Sequence, residues 1–315
     1  MATKKIWGDK RYYSLDYYLK ETFGKKIYKL SLNGGMTCPN RDGKIDNRGC
    51  IFCSKGGSGD FSPSSILPIT SQIEEAKKLV MHKLPLKSTD AATDTTGQYI
   101  AYFQAFTNTY GPINHLRSIF MEAITHPDIA ILSIATRPDC LDDNILKLLD
   151  ELNQIKPVWV ELGLQTSKEE TATFIRRGYP LSVFLDGITK LREINLTIIV
   201  HVILGLPGED KHDMLNTISL LSKLPIQGIK LQLLHVLKDT DLAHHTFPIL
   251  SMEEYINIVI EILEILPQNI VIHRITGDGP KELLIAPLWS GNKKIVLNSI
   301  HKQLKQKDSW QGKNA

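Results

Sequence analysis

Cys38, Cys50 and Cys53 carry the most reactive side chains of this sequence, and they stand in one stretch: Leu-Asn-Gly-Gly-Met-Thr-Cys-Pro-Asn-Arg-Asp-Gly-Lys-Ile-Asp-Asn-Arg-Gly-Cys-Ile-Phe-Cys-Ser-Lys-Gly-Gly-Ser-Gly-Asp, residues 32–60. Its Gly, Asn and Asp content predicts a loop rather than a helix or strand. Thiolates gathered on a loop bind zinc, hold iron and sulfur, or pair as disulfides. A structural zinc site takes four ligands. The loop supplies three and contains no fourth Cys or His; the remaining cysteine, Cys140, sits far away where a strand ends. Cys140 reads as a buried inert thiol, with a further ligand or a radical relay as the alternatives. Three thiolates on an iron–sulfur cluster leave one iron open to a small molecule, which implies chemistry and not only structure.

The spacing C-x11-C-x2-C, with the aromatic Phe52 just before the last cysteine, resembles the Elongator-type branch of the radical S-adenosylmethionine enzymes, whose commoner relatives use C-x3-C-x2-C. Five runs carry the likeness further: Gly-Gly-Met-Thr-Cys-Pro-Asn-Arg-Asp-Gly, Gly-Ser-Gly-Asp-Phe, Tyr-Phe-Gln-Ala-Phe-Thr-Asn-Thr-Tyr, Ala-Thr-Arg-Pro-Asp-Cys-Leu and His-Arg-Ile-Thr-Gly-Asp-Gly-Pro. Together they resemble the YtqA/YhcC (MnmL-type) subgroup over nearly the whole chain. The resemblance implies that Cys38, Cys50 and Cys53 bind a 4Fe-4S cluster whose open iron chelates S-adenosyl-L-methionine. One electron then cleaves that cofactor to methionine and a 5'-deoxyadenosyl radical, which abstracts a hydrogen from an unactivated carbon. For the subgroup it further implies tRNA as partner, at the wobble uridine, taking 5-carboxymethylaminomethyl-2-thiouridine toward 5-aminomethyl-2-thiouridine. An electron donor such as flavodoxin or ferredoxin and a downstream methyltransferase would complete the pathway. Two other classes stay open: a radical enzyme acting on a small metabolite or a protein, and a non-enzymatic iron–sulfur module.

Composition agrees with a globular enzyme. The 315 residues are 42% hydrophobic and 23% charged, enough chain for one barrel-sized domain or two smaller ones. No apolar run reaches the roughly 20 residues that cross a bilayer. The start, Met-Ala-Thr-Lys-Lys, lacks an apolar signal core, and four cysteines clustered three and one suit a reducing compartment; both predict a cytoplasmic protein without a membrane partner. The formal charge of +3 is small, but lysines crowd both ends of the chain: Lys4, Lys5, Lys10, Lys20, Lys25 and Lys26, then Lys293, Lys294, Lys302, Lys305, Lys307 and Lys313. These read equally as solvated surface or as a nucleic-acid contact.

To position the thiols the chain needs a scaffold, and its periodicity predicts one. A helix-spaced Tyr13, Tyr17 and Tyr18 opens the sequence, read as packing against the domain rather than as a platform for bases. The strand 26–33 delivers the cysteine loop, a helix follows at 70–84, and the polar 85–98 reads as a loop. Strands at 99–106, 129–135, 158–165, 196–204 and 228–235 then alternate with helices at 112–126, 142–155, 167–193 and 210–223. Alternation of this kind builds a parallel sheet with right-handed crossovers. The resemblance makes it a partial (β/α)6 TIM-like barrel of the radical S-adenosylmethionine type, with a short N-terminal extension at 1–25, the barrel at 26–245 and a C-terminal extension at 246–315. The apolar run 270–275 offers a seventh strand, and helices are expected at 251–266 and 293–304.

Parallel barrels place chemistry at the carboxyl ends of their strands, where inward positions recur at period two. Gln104 and Asn108 stand where the superfamily has its methionyl-binding stretch, so the resemblance offers them, with a polar turn as the alternative. Arg137 is able to grip a carboxylate with both prongs or to pair with Asp139. Glu161 points inward beside Gly163 and Gln165; it faces either the ribose or methionyl part of the cofactor or an inward lysine such as Lys230, with Gln232 nearby. Gly205, in Leu-Gly-Leu-Pro-Gly-Glu, resembles the motif near the adenine, or is an ordinary strand-to-helix turn. Phe52 is assigned to the cofactor with the cysteines. His273 and Arg274, before the glycine-rich Thr-Gly-Asp-Gly-Pro, form the substrate-side candidate for a phosphate or carboxylate.

Overall fold

Runs of Ile, Val and Leu bounded by turn residues become strands buried on both faces, and the amphipathic segments between them become the covering helices. The computed structural model describes residues 3–80, 96–277 and 279–315. In chain order the elements are α1 (Leu15–Phe23), β1 (Tyr28–Leu32), α2 (Ile69–Val80), β2 (Tyr99–Phe103), α3 (Ile113–Thr125), β3 (Ile129–Thr136), α4 (Asp143–Asn153), β4 (Val158–Gln165), α5 (Glu169–Phe174), α6 (Leu181–Glu193), β5 (Thr197–Leu204), α7 (Lys211–Leu221), β6 (Gly228–Leu233), β7 (Val236–Leu237), α8 (Met252–Ile265), β8 (Val271–Arg274), β9 (Leu284–Ala286) and α9 (Lys293–Gln306).

Seven strands form one sheet in the order β1-β2-β3-β4-β5-β6-β8, every neighbouring pair parallel. This is the expected partial barrel, with the 270–275 run joining as its seventh strand from within the segment read as the C-terminal extension. β7 and β9 form a separate antiparallel pair. The far edge of β8 does not stay bare: Ile272 N–H donates to Tyr13 O at 2.7 Å, and Ser14 bridges Ile272.

One expectation needs correction, and another falls largely outside the described residues. The helix expected over 167–193 is two helices, because Arg176 (φ 56°) and Gly178 (φ 84°) take left-handed backbone and Pro180 starts α6 anew. The loop expected at 85–98 lies outside the described residues as far as 95, as does the end of the 70–84 helix; residues 96–98 form a turn, with Gly97 N–H donating to Pro127 O at 2.9 Å.

Period two sorts the inward side chains into levels. At the floor Ile27, Ile100, Ile131, Trp159 and Ile199 form an apolar plug with Leu19 of α1, and Leu15, Tyr18 and Phe23 pack beneath it. The opening tyrosines therefore serve packing: the Tyr18 ring lies 6.1 Å from that of Trp159, and Tyr13 stacks on Trp7 and meets Tyr17 edge-to-face. Two residues further along each strand the inward positions turn polar: Lys29, Tyr102, Ser133, Glu161, His201 and Lys230. Outside the sheet, one large core joins it to α2–α4 and α6–α9.

Candidate active site

Above the polar level opens a cavity of ≈ 170 Å³, whose walls include all three loop cysteines, Phe52, Gln104, Arg137, Glu161 and Arg274. The carboxyl ends of the strands and the cysteine loop thus meet where the fold predicts chemistry.

The loop is held by short-range bonds that its polar residues make possible. Arg41 and Asp42 donate their N–H groups to Cys38 O (2.8 and 3.2 Å), Gly49 N–H donates to Asn40 O (2.7 Å), and Cys53 N–H donates to Cys50 O (3.0 Å). The Arg41 guanidinium donates to the carbonyls of Ser54 (2.6 Å) and Cys53 (3.3 Å). Asn40 is buried; its Nδ2 donates to Arg176 O at 2.7 Å and to Cys50 Sγ at 3.4 Å. A hydrogen bond from Cys53, with the charge of Arg137, the Asn40 bond and the charge of Arg41, draws the Cys50 thiol down to about 7 against its burial. The glycine-rich tail docks on the end of β2: Phe106 N–H donates to Gly57 O at 2.8 Å, and a Cβ on Gly57 would stand 2.3 Å from the Phe106 ring.

The donor set fits an iron–sulfur cluster better than a single ion. Thiolates around one tetrahedral zinc would lie about 3.8 Å apart. Among the described residues, ligating atoms that all fall within 4.8 Å of one another belong to Glu74, His126 and Asp128, and the three loop sulfurs are not such a set. Cys140 stands elsewhere, on the wall of a separate cleft with Met36 and Tyr110, and burial pushes its thiol up to about 12, as an inert thiol requires. All four cysteines are free.

Beneath the thiols the polar level is organised by Glu161. Its side chain is fully buried and receives Lys29 Nζ (2.7 Å), Ser133 Oγ (2.7 Å), His201 Nε2 (2.7 Å) and Lys230 Nζ. Lys230 also contacts Tyr102 OH at 3.1 Å. Burial opposes ionisation of Glu161, yet Lys230, Lys29 and the His201 bond outweigh it and hold the carboxyl well below the usual range. Burial and the Lys230 charge depress His201 to about 4, against the Glu161 bond, so its imidazole is neutral with the proton on Nε2. Glu161 is therefore the counter-ion of inward lysines, the alternative reading of this residue, and its oxygens are already engaged.

The other candidates divide. Gln104 reaches the cavity and accepts from Ser31 Oγ at 3.0 Å; Phe52 and Arg274 reach it too. Arg137 lines the cavity, but its fork is held by Asp139 (2.9 and 2.7 Å). Asn108, Gly205 and His273 are not brought to it. Asn108 Nδ2 donates to Phe103 O (3.0 Å) and Ala135 O (2.9 Å), tying the ends of β2 and β3, because a polar turn here must satisfy two strand termini. Gly205 (φ 86°) is the turn out of β5, with its N–H on Met214 Sδ and Leu250 over its Cα. The His273 ring meets Trp159 edge-on at 5.2 Å, down at the floor, because the register shift between β6 and β8 sends His273 low and Arg274 up.

Sequence reasoning missed Arg41, Lys29, Tyr102, His201, Arg177 and Tyr179. Lys29, Tyr102 and His201 carry the same signal as Glu161, a polar group at an inward position of an apolar strand. Arg177 and Tyr179 come from the break between α5 and α6, where Arg177 donates to Tyr179 O (2.9 Å) and Thr166 O (2.7 Å).

Residues 47–221 match the family model described as the Radical SAM superfamily, and residues 226–306 match the Radical_SAM C-terminal domain. The chain is 43% identical to the uncharacterized protein YtqA of Bacillus subtilis, over 97% of this chain and 93% of that protein. It is 33% identical to the protein YhcC of Escherichia coli, over 87% and 86%. A more distant relative, 24% identical over 70% of this chain and 53% of its own length, is the tRNA-2-methylthio-N(6)-dimethylallyladenosine synthase of Buchnera aphidicola. Among solved structures the fold matches the archaeal Elp3 of Methanocaldococcus infernus, with TM-score 0.63 at 16% identity, covering 91% of this chain and 64% of that one.

Proposed function

The chain belongs to the radical S-adenosylmethionine superfamily, in the Elongator-like branch with YtqA and YhcC, and from that premise we propose that it modifies the wobble uridine of tRNA, with Cys38, Cys50 and Cys53 as the ligands of its 4Fe-4S cluster. The observation that carries the ligand assignment is three loop thiols, without a fourth Cys or His beside them, on the wall of one cavity at the carboxyl ends of a parallel half-barrel. When bound, the cluster and S-adenosylmethionine supply a one-electron cleavage whose product oxidises an unactivated carbon.

The chain's own residues bind, orient and exclude water. Asn40 donates to the sulfur of Cys50, and such bonds to ligand sulfurs tune cluster potential. Arg41 and Arg137 set positive charge beside the thiols, suited to the charge of the cluster, while their donors stay on the loop carbonyls and on Asp139. Phe52 and Gln104 line the same cavity as the remaining cofactor contacts. The plug of Ile100, Ile131, Trp159 and Ile199 closes the floor to solvent.

The substrate reading is 5-carboxymethylaminomethyl-2-thiouridine, converted toward its 5-aminomethyl form. What supports it is the resemblance of the sequence motifs to the MnmL-type subgroup and the more distant likeness to a tRNA-modifying synthase. An electron donor of the flavodoxin or ferredoxin kind and a methyltransferase acting on the product are the partners this reading requires. The test has two stages. Anaerobically reconstituted protein with dithionite and S-adenosylmethionine should yield 5'-deoxyadenosine, and the Cys38→Ala, Cys50→Ala, Cys53→Ala variant should yield none. Nucleoside mass spectrometry of tRNA from a deletion strain should then show accumulation of the carboxymethylaminomethyl nucleoside; an unchanged profile would leave the radical chemistry standing and remove this substrate.

A further inference from the structure

The cations on the cavity wall are Arg41, Arg137, Arg177, Lys230 and Arg274. Three of them meet a carboxylate, and a fourth is committed to backbone carbonyls. Arg137 is forked to Asp139, Arg177 pairs with Glu169 at 3.2 Å, Lys230 pairs with Glu161, and Arg41 is spent on two carbonyls at the loop. Arg274 differs. Among the described residues its hydrogen-bond partner is a neutral amide, Gln232 Oε1 at 3.1 Å from Nη1, and it enters no ion pair. Glu161 is no reserve for it, because two lysines already share that carboxylate and His201 beside it is neutral.

Position reinforces the point. Arg274 and Gln232 also line a second chamber of ≈ 130 Å³, which lies against Phe52, Cys53, His235, Gly277 and Gly279. The arginine thus stands at the junction of the two chambers. A half-buried guanidinium facing a cavity with no anion among the described residues is costly unless the ligand supplies one. With Nη1 held by Gln232, the other edge of the planar fork remains to take two oxygens of one group. The matching group is a planar anion whose two oxygens lie side by side, as those of a carboxylate do.

We propose that Arg274, steadied by Gln232, receives a carboxylate of the substrate and so selects substrates that carry one close to the reacting carbon. The inference rests on the radical S-adenosylmethionine reading of this cavity and deepens it, since the carboxymethylaminomethyl group ends in such a carboxylate.

The experiment is phenylglyoxal labelling of the cluster-loaded enzyme, with the modification rate of Arg274 read by peptide mass spectrometry. Five additions are compared: N-methylglycine, its neutral amide, inorganic phosphate, S-adenosylmethionine, and an anticodon stem-loop bearing 5-carboxymethylaminomethyl-2-thiouridine. N-methylglycine and the stem-loop should slow labelling of Arg274 about fivefold or more, and the amide and S-adenosylmethionine should not. Wild type should also bind the stem-loop about tenfold more tightly than its methyl ester, a preference that folded Arg274→Gln loses. Protection by N-methylglycine without binding of the stem-loop would uphold the carboxylate site and reject the wobble-uridine substrate. Four results would overturn the inference: no protection by N-methylglycine, equal protection by the amide, protection by S-adenosylmethionine or phosphate in its place, or a bound stem-loop that leaves Arg274 as reactive as before.

Discussion

Glu161 shows how one carboxylate organises the polar level of the barrel. Two lysines, a histidine and a serine converge on it in a layer that the apolar floor seals from below. Replacing it with Gln leaves Lys29 and Lys230 facing each other without an anion, so Glu161→Gln should cost about 3–5 kcal/mol, read as a lower denaturant midpoint. His201 makes the same layer sensitive to acid. Its folded pKa of about 4 lies below the ordinary 6.5, so the unfolded chain takes up a proton first as pH falls. The stability from the neutral ring is complete above pH 6.5 and is lost between 6.5 and about 4. Urea titrations across that window should show a fall that is about 3 kcal/mol smaller in His201→Gln than in wild type, the remainder coming from other buried imidazoles such as His273, which burial also holds below the ordinary range. Equal falls in wild type and His201→Gln would mean that the His201 ring protonates in the folded state as readily as in the unfolded chain.

The cysteine loop and the end of β2 behave as one unit. Ser54 Oγ bonds the Asp60 carboxylate at 3.0 and 3.1 Å, Thr107 N–H donates to Thr37 O at 3.2 Å, and the Gly57 backbone meets Phe106 with no room for a Cβ. That close approach, with φ at 55°, is why glycine stands there. Gly57→Ala should therefore lift the loop from β2 without touching the barrel. Reconstituted iron should drop well below wild type while the thermal midpoint shifts by only a few degrees, since loop strain of about 1–3 kcal/mol is local. Full iron loading of this variant would show that the thiols hold the loop without the β2 contact.

Across the whole molecule, the two ends of the chain secure the sheet edge opposite the cysteine loop. Gln311 is fully buried; its N–H donates to Arg11 O, its Oε1 accepts Tyr13 N–H at 2.8 Å, and its Nε2 donates to Pro267 O and Ile270 O. These bonds place the strap of residues 11–14 along β8, the strand that carries Arg274. Gln311→Ala would orphan three backbone groups and should cost about 2–4 kcal/mol. Hydrogen exchange should show faster amide exchange at Ile272, whose N–H donates to Tyr13 O, than at the β3–β4 pairing in the same variant. Equal protection at both places would show that the strap holds β8 by packing alone.

What the sequence determined is what is local or periodic. The spacing of Cys38, Cys50 and Cys53, the alternation of apolar strands with amphipathic helices, and the inward parity of Glu161 and Lys230 are set by neighbours along the chain. Gly178 and Pro180 also announced a boundary that helical periodicity smoothed over. The destination of each side chain was a different matter. His273 and Arg274 are adjacent in sequence, yet a register shift against β6 sends one to the floor and the other to the cavity. Asn108 and Gln104 lie four residues apart, and the need to satisfy two strand ends claims one of them. Arg137 carries a charge that suits a ligand, and Asp139 takes its fork. In each case the outcome depends on hydrogen-bond and charge partners from other strands, and those are chosen only when the sheet curls and brings its inner face together.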